Sequence, residues 1–339
     1  GSEMCIRDRL ERFCEALKEM YELPYEFLET NILRTPAKNL MNKIQQAVLA
    51  LYNYDDEPDD IDEYKTLIKG VNLIAKMPSI ICYEYMSKEH YFNRKSLVLH
   101  YPIKEYSIAE NFLYMLREDK TFTRQEANLL DVLLMIHADH GGGNNSTFTN
   151  VVISSTNTDI YSTICGSIGS LKGPRHGGAN LKVSEMMDEV IALIGYTTDK
   201  AAVKSAIRKI TGKELYDRSG LVYGFGHAVY TISDPRAELL RGVCEEVAKE
   251  QGKMKEFYFY RLFEECVKEV IMEDKHKVIP TNVDYYSGFA YDMLRIPREL
   301  YTPLFVTSRL VGWIAHNIEN KLYDCLLYTS PSPRDPKTS

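Results

Sequence analysis

In Gly173-Pro174-Arg175-His176-Gly177-Gly178-Ala179-Asn180, a histidine stands between a proline and two glycines, just ahead of an amphipathic run. Val183, Met186, Met187, Val190, Ile191 and Ile194 recur there at helical spacing and stop at Gly195. Glycines let a backbone approach a ligand closely, and a helix start offers N–H groups with partial positive charge. A histidine held at such a place tends to stay neutral and can donate a hydrogen bond to a carbonyl oxygen. Taken alone, the octapeptide is equally a glycine-rich turn carrying a surface histidine.

Five other residues carry chemistry. His140 closes His137-Ala138-Asp139-His140 at the end of an apolar helix, and its spacing from His137 places both on one helical face. His227 ends Gly224-Phe225-Gly226-His227, a short loop before Asp234-Pro235-Arg236. There Asp234 suits a helix N-cap and Pro235 the first helical position. Arg236 then falls in the first turn, where its guanidinium and the N–H groups add up to an anion site. Asp284 lies in Asn282-Val283-Asp284-Tyr285-Tyr286-Ser287-Gly288, either as a helix cap or as a base beside substrate. Arg309 interrupts a largely apolar helix, which is costly unless something anionic meets it.

Two arginines with three histidines suit a small dicarboxylate, each carboxylate held by charge-assisted hydrogen bonds. An aspartate base opposite a neutral histidine suits removal of a proton from carbon next to a carbonyl, with the histidine stabilising the enolate oxygen. A metal site built from the 137–140 histidines with His176 and Asp284 is the reading from a different class. No serine sits in a nucleophile elbow and no cysteine in a motif that activates thiolates.

The elements that must position these residues are helical nearly throughout. Leu10, Phe13, Cys14, Leu17 and Met20 form one stripe, whereas residues 1–9 show no periodicity and 327–339 are rich in proline and serine. Leu40, Ile44, Ala47, Val48 and Leu51 form a second stripe, and the acidic tract 55–60 reads as a solvated loop. A helix through Leu67, Val71, Ile74 and Ala75 meets Pro78, and Ser107–Leu116 is a short helix. Thr123-Arg124-Gln125-Glu126 fits a capping box. The small, β-branched run 151–172 is read as tightly packed helix. Helices follow over Asp199–Gly212, after Pro235, over Lys255–Met272, and from Thr302 as cap with Pro303 first. The fold expected is all-α.

The net charge of −7 points to neither a nucleic-acid footprint nor a basic membrane surface. The longest apolar stretches are broken by Asp131 and Arg309, so no membrane span is expected. Seven scattered cysteines without a CxxC pair suit reduced thiols in a cytoplasmic protein.

Taken in order, His137–His140 with its glycines, Gly173–Asn180, Gly224–His227 with Asp234–Arg236, Asn282–Gly288 and Thr302–His316 resemble the citrate synthase family. Met77–Ile81 and Tyr106–Leu116 resemble its upstream segments, so the similarity covers roughly residues 10–325. The resemblance implies a two-domain, all-α homodimer that condenses an acyl-CoA with oxaloacetate and hydrolyses the thioester. It implies that Asp284 takes the methyl proton of acetyl-CoA, His176 stabilises the enol, and His227 polarises the oxaloacetate carbonyl. His140, Arg236 and Arg309 would hold oxaloacetate and citrate, and Leu221, Val222, Gly224 and Phe225 would lie against CoA. It implies no metal or redox cofactor.

The expected domains are a large one over 10–176 and 288–326, with a small one over 177–287 and foreign-looking tails at 1–9 and 327–339. Propionyl-CoA is the alternative donor, making 2-methylcitrate, and a non-catalytic, ligand-binding fragment is a further alternative. Three departures from the family stand out. Thr231, four after His227, replaces an often basic residue; the C-terminal arginine segment is not matched, Arg334 being no substitute; and an N-terminal region before Leu10 is not seen.

Overall fold

The computed structural model describes residues 3–139, 141–173, 176–227 and 230–323, with backbone alone at 3–7. Among them the chain is helical, and its only extended pairing is a single antiparallel bridge between Phe225 and Thr281. In order the helices are α1 (Glu3–Lys18), α2 (Tyr25–Phe27, continued by a π-turn over Leu28–Leu33), α3 (Leu40–Leu51), α4 (Glu63–Asn93) and α5 (Ile108–Leu116). There follow α6 (Arg124–Ile136), α7 (Asn145–Ser154), α8 (Ile160–Lys172), α9 (Ala179–Ile194) and α10 (Lys200–Thr211). The last are α11 (Pro235–Glu250), α12 (Met254–Lys275), α13 (Val283–Met293) and α14 (Tyr301–Tyr323).

Two compact units result. The first comprises Gly1–Lys120, His137–Lys172 and Val306–Ser339; the second comprises Thr121–Ile136 and Gly173–Phe305. The divisions fall at 172/173 and 305/306, where the sequence expectation has 176/177 and 287/288, and α6 groups with the second unit.

In the first unit α3, α4, α7 and α8 enclose a core of Ile44, Val48, Met77, Ile80, Ile164 and Ile168. The run 151–172 is helical as read, broken into α7 and α8 by a turn at 155–159. Three details refine the sequence reading here. Helix α4 does not stop at Pro78 but carries it inside. The missing hydrogen bond costs about 3 kcal/mol, which the burial of Met77, Ile80, Ile81 and Cys82 outweighs. Helix α1 extends back to Glu3, through residues that show no periodicity, and leaves Leu10 and Phe13 exposed. The acidic tract is a loop, yet it is partly tied down: Lys69 Nζ donates to the carbonyls of Glu57, Pro58 and Asp60, and the Tyr161 hydroxyl donates to Asp55.

In the second unit the expected caps form. Thr123 and Glu126 complete the capping box of α6, and Asp234 caps α11 with Pro235 in the first turn; Asp199, not singled out as a cap, caps α10. Lys200, Lys204 and Arg208 of α10 pair with Glu265, Glu269, Glu273 and Asp274 of α12. Thr302 is not a cap: α14 begins one residue earlier, after a 3-10 turn at Arg298–Leu300, and the Thr302 hydroxyl donates to the Gly177 carbonyl at 3.1 Å.

Candidate active site

Asp284 sits in the first turn of α13, half-buried. It is not the cap. Asn282 is, its side-chain oxygen accepting the Asp284 N–H at 3.0 Å. Capping by the neighbour leaves the Asp284 carboxylate out of that bond, at the positive end of the helix.

The loop carrying His227 is laced to the same segment. Gly226 N–H donates to the Pro280 carbonyl at 2.7 Å, and Asn282 N–H to the Gly224 carbonyl at 2.9 Å. The Asn282 amide donates in turn to the Gly226 carbonyl at 2.9 Å. Gly224 is required twice over: its φ is +87°, and a Cβ would stand 2.8 Å from Tyr285 Cβ. Phe225 lays its ring against Tyr285, centroids 4.9 Å apart.

The octapeptide turn reaches α13 by a third route. His176 N–H and Gly177 N–H both donate to the Gly173 carbonyl, closing the turn, and Thr302 holds Gly177 from outside. Helix α9 then packs its first turns on Gly288, where an added Cβ would lie 2.4 Å from Ser184 Oγ and 3.3 Å from the Asn180 carbonyl. Three motifs far apart in sequence thus bear on α13 within one unit, the His227 loop at its start and the turn of His176, through α9, at its middle. His176 is half-buried, while Pro174 and Arg175 lie outside the described residues.

His227 and Arg236 form a pair of donors. Tyr230 N–H donates to His227 Nδ1 at 3.1 Å, so the neutral ring carries its proton on Nε2. Arg236 Nη2 stands 3.3 Å from that nitrogen. In that tautomer both are donors and do not bond each other, so an oxygen acceptor beside both would take a hydrogen bond from each. Partial burial, then the Arg236 charge, hold the His227 pKa below its ordinary 6.5, against the opposing pull of Asp234. The ring is neutral at physiological pH.

The expected anion site at Arg236 differs in one respect. Asp234 already takes the Arg236 backbone N–H at 3.0 Å and grips the guanidinium through Nε at 3.1 Å and Nη2 at 2.9 Å. The first-turn N–H is therefore occupied, and what Arg236 offers an anion is the remainder of its fork. Asp234, fully buried as a side chain, was legible only as a cap; its clamp on Arg236 needed the structure.

Arg309 belongs to the first unit and is 2% exposed. It is met by a carbonyl, that of His137, to which its Nε donates at 2.8 Å. Gly312 N–H donates to the Ala138 carbonyl and His316 Nε2 stands 3.2 Å from Asp139 Oδ1, so residues 137–139 run along one face of α14. Residues 137–139 lie beyond the end of α6 at Ile136, so His137 is not on that helix. His137 is buried; His140 lies outside the described residues.

Of the loop expected against CoA, Val222 and Gly224 are buried, Phe225 is half-buried and Leu221 is 59% exposed. Among the described residues no group of three or more His, Cys, Asp or Glu is arranged to hold a metal ion. Burial pushes the Cys82 and Cys244 thiols up and away from thiolate chemistry.

Comparison with known proteins agrees with the geometry. A family model described as citrate synthase, C-terminal domain, matches residues 2–327. A citrate synthase of Deinococcus radiodurans is 36% identical over 92% of this chain and 77% of its own length. A 2-methylcitrate synthase of Shewanella oneidensis is 31% identical over 94% of this chain and 76% of its own. The solved citrate synthase of Pyrobaculum aerophilum superposes with a TM-score of 0.78 at 26% identity, over 97% of this chain and 79% of that one. The chain belongs to the citrate synthase family.

Proposed function

We propose that this chain condenses acetyl-CoA with oxaloacetate and hydrolyses the resulting citryl-CoA to citrate and free CoA. The observation that carries the reading is that the His227 loop is laced to the Asp284 helix start while the helix that follows the His176 turn packs on the same α13 at Gly288. Asp284 takes a proton from the methyl carbon of the thioester, and His176 donates a hydrogen bond to the thioester oxygen as the enol forms. The enol carbon attacks the ketone carbon of oxaloacetate, whose oxygen receives the hydrogen bond of His227 Nε2. Water then cleaves the thioester and releases the CoA thiol. Arg236, His140 and Arg309 hold carboxylates of oxaloacetate, and Leu221, Val222, Gly224 and Phe225 lie against CoA.

For the carbon–carbon bond formation and the hydrolysis the side chains supply proton transfer and carbonyl polarisation, and the reaction calls on no metal or redox cofactor. The protein works as a homodimer in the cytoplasm, a compartment in keeping with the unpaired state of Cys14, Cys82, Cys165, Cys244 and Cys266. No described helix is long and apolar enough to cross a membrane.

Release of free thiol from acetyl-CoA with oxaloacetate, compared with Asp284→Ala, tests the reading. Turnover that the substitution abolishes supports it. Binding of citrate without CoA release by the unsubstituted chain would leave only a ligand-binding protein. The Shewanella relative makes propionyl-CoA the donor to run in parallel. One methylene is worth only about 1–3 kcal/mol of discrimination, so the ratio of the two rates, rather than either alone, assigns the substrate.

A further inference from the structure

We propose that Glu264, in the middle of α12 and outside every motif described above, is a positioning residue that holds Asp284 and His227 in register. It touches neither. Its carboxylate is buried, 5% exposed, and grips both sides of the Asp284 segment. Oε1 accepts from the Thr281 hydroxyl at 2.6 Å, three residues before Asp284. Oε2 accepts from the Tyr286 hydroxyl at 2.6 Å, two residues after it. Lys268 Nζ donates to Oε1 at 2.6 Å, and Arg241 Nη1 stands 3.8 Å from Oε2.

Thr281 is also the residue bridged to Phe225, and its neighbours Pro280 and Asn282 receive and give the bonds that lace down Gly224 and Gly226. His227 follows directly. One carboxylate therefore fixes the strand-like segment from which both the base and the carbonyl-polarising histidine depart.

A buried carboxylate is expensive unless its hydrogen bonds are made. Burial alone would raise the Glu264 pKa, but the bonds from Lys268, Thr281 and Tyr286 overcome it and leave the group below the usual carboxylate range. The charge is kept at neutral pH, and so are three short bonds. A core that needed only packing would be served as well by an apolar residue at this place.

The inference rests on the proposed reaction, and the test separates the two. Glu264→Gln, Tyr286→Phe and the double variant are compared by CoA release, thermal melting and amide hydrogen exchange in the full chain. Glu264→Gln is expected to lower kcat about tenfold or more with the KM for oxaloacetate within about twofold, and the double variant to be little worse. Exchange should quicken at 224–227 and 280–286 and stay unchanged in α10. Independent, multiplying losses, or a lowered melting temperature with kcat and local exchange as in the unsubstituted chain, would reduce Glu264 to a structural residue. Should the unsubstituted chain release no CoA, the reaction is overturned, and the exchange pattern still decides what Glu264 holds. Tyr286→Phe removes one bond and keeps the ring, so it gives the answer if Glu264→Gln does not fold.

Discussion

The side-chain amide of Asn282 donates to the Gly226 carbonyl at 2.9 Å while its oxygen caps α13 through the Asp284 N–H at 3.0 Å. One residue thus joins the loop of His227 to the helix of Asp284. Asn282→Asp separates its two tasks, since aspartate caps as well but has no N–H to give. The Gly226 carbonyl would then face a carboxylate oxygen. A lost bond with an unsatisfied partner costs about 1–3 kcal/mol, and kcat should fall about tenfold with the helical circular dichroism retained. Unchanged turnover in that variant would mean that the amide does not set the register.

His227 makes the reaction sensitive to acid in a defined direction. Its lowered pKa keeps the folded ring neutral in a range where an unfolded ring, with pKa near 6.5, binds a proton. Between about 6.5 and the lower folded value the unfolded state holds more protons, so this group makes stability fall as pH falls and adds nothing above that window. Protonation of the ring in the folded state places a hydrogen on Nδ1 and breaks its bond with Tyr230 N–H. The acid limb of kcat should therefore lie below pH 6.5. His227→Gln, which keeps a donor, should retain more activity than His227→Ala. Equal loss in the two would refute a donor role for Nε2.

Much of this was readable from the chain, for physical reasons. Asp234-Pro235 announces a helix start by its side-chain chemistry, and Thr123 with Glu126 announces another; local bonds form wherever those residues occur in that order. The candidate site residues stood out because histidines between glycines and arginines in apolar helices are costly without a purpose. What could not be read depended on partners distant in sequence. Pro78 stays helical because its neighbours are buried by other helices. That residues 137–139 run along α14 depends on Arg309, more than a hundred residues later, which takes the His137 carbonyl. Glu264 looks like any acidic residue on an amphipathic helix until Thr281 and Tyr286 are folded onto it.

The approach of α9 to α13 can be tested by a pair of substitutions. Gly288→Ala places a methyl group 2.4 Å from Ser184 Oγ, too close for either atom to stay. The single variant should push the start of α9 away and lower both melting temperature and kcat; overpacking of this kind typically costs about 1–3 kcal/mol. Removing the hydroxyl with Ser184→Ala leaves the nearest side-chain carbon at 3.7 Å, an ordinary contact. The double variant should therefore recover most of the loss, although the Asn180 carbonyl at 3.3 Å remains tight. Failure of Ser184→Ala to rescue would show that the two helices do not meet at these atoms.

Glu84 makes the opposite kind of prediction, because it stabilises nothing by its charge. It lies 2% exposed in the core of the first unit, and neither carboxylate oxygen has a hydrogen-bond partner among the described residues. Lys43, whose charge opposes the shift, spends its own hydrogen bonds on the Asn31 carbonyl and the Thr35 hydroxyl. Burial therefore pushes the Glu84 pKa well above 4.5, and the folded protein keeps a proton that the unfolded chain releases. The sign follows: this group's contribution is complete below about 4.5 and is lost as pH rises toward the folded value. Glu84→Gln has the same shape and no proton to lose. Its stability relative to the unsubstituted chain should be nearly level at about pH 4.5 and improve as pH rises above it, as read from urea unfolding midpoints. Parallel curves across that range would mean that Glu84 is ionised in the fold, with Lys43 its true partner.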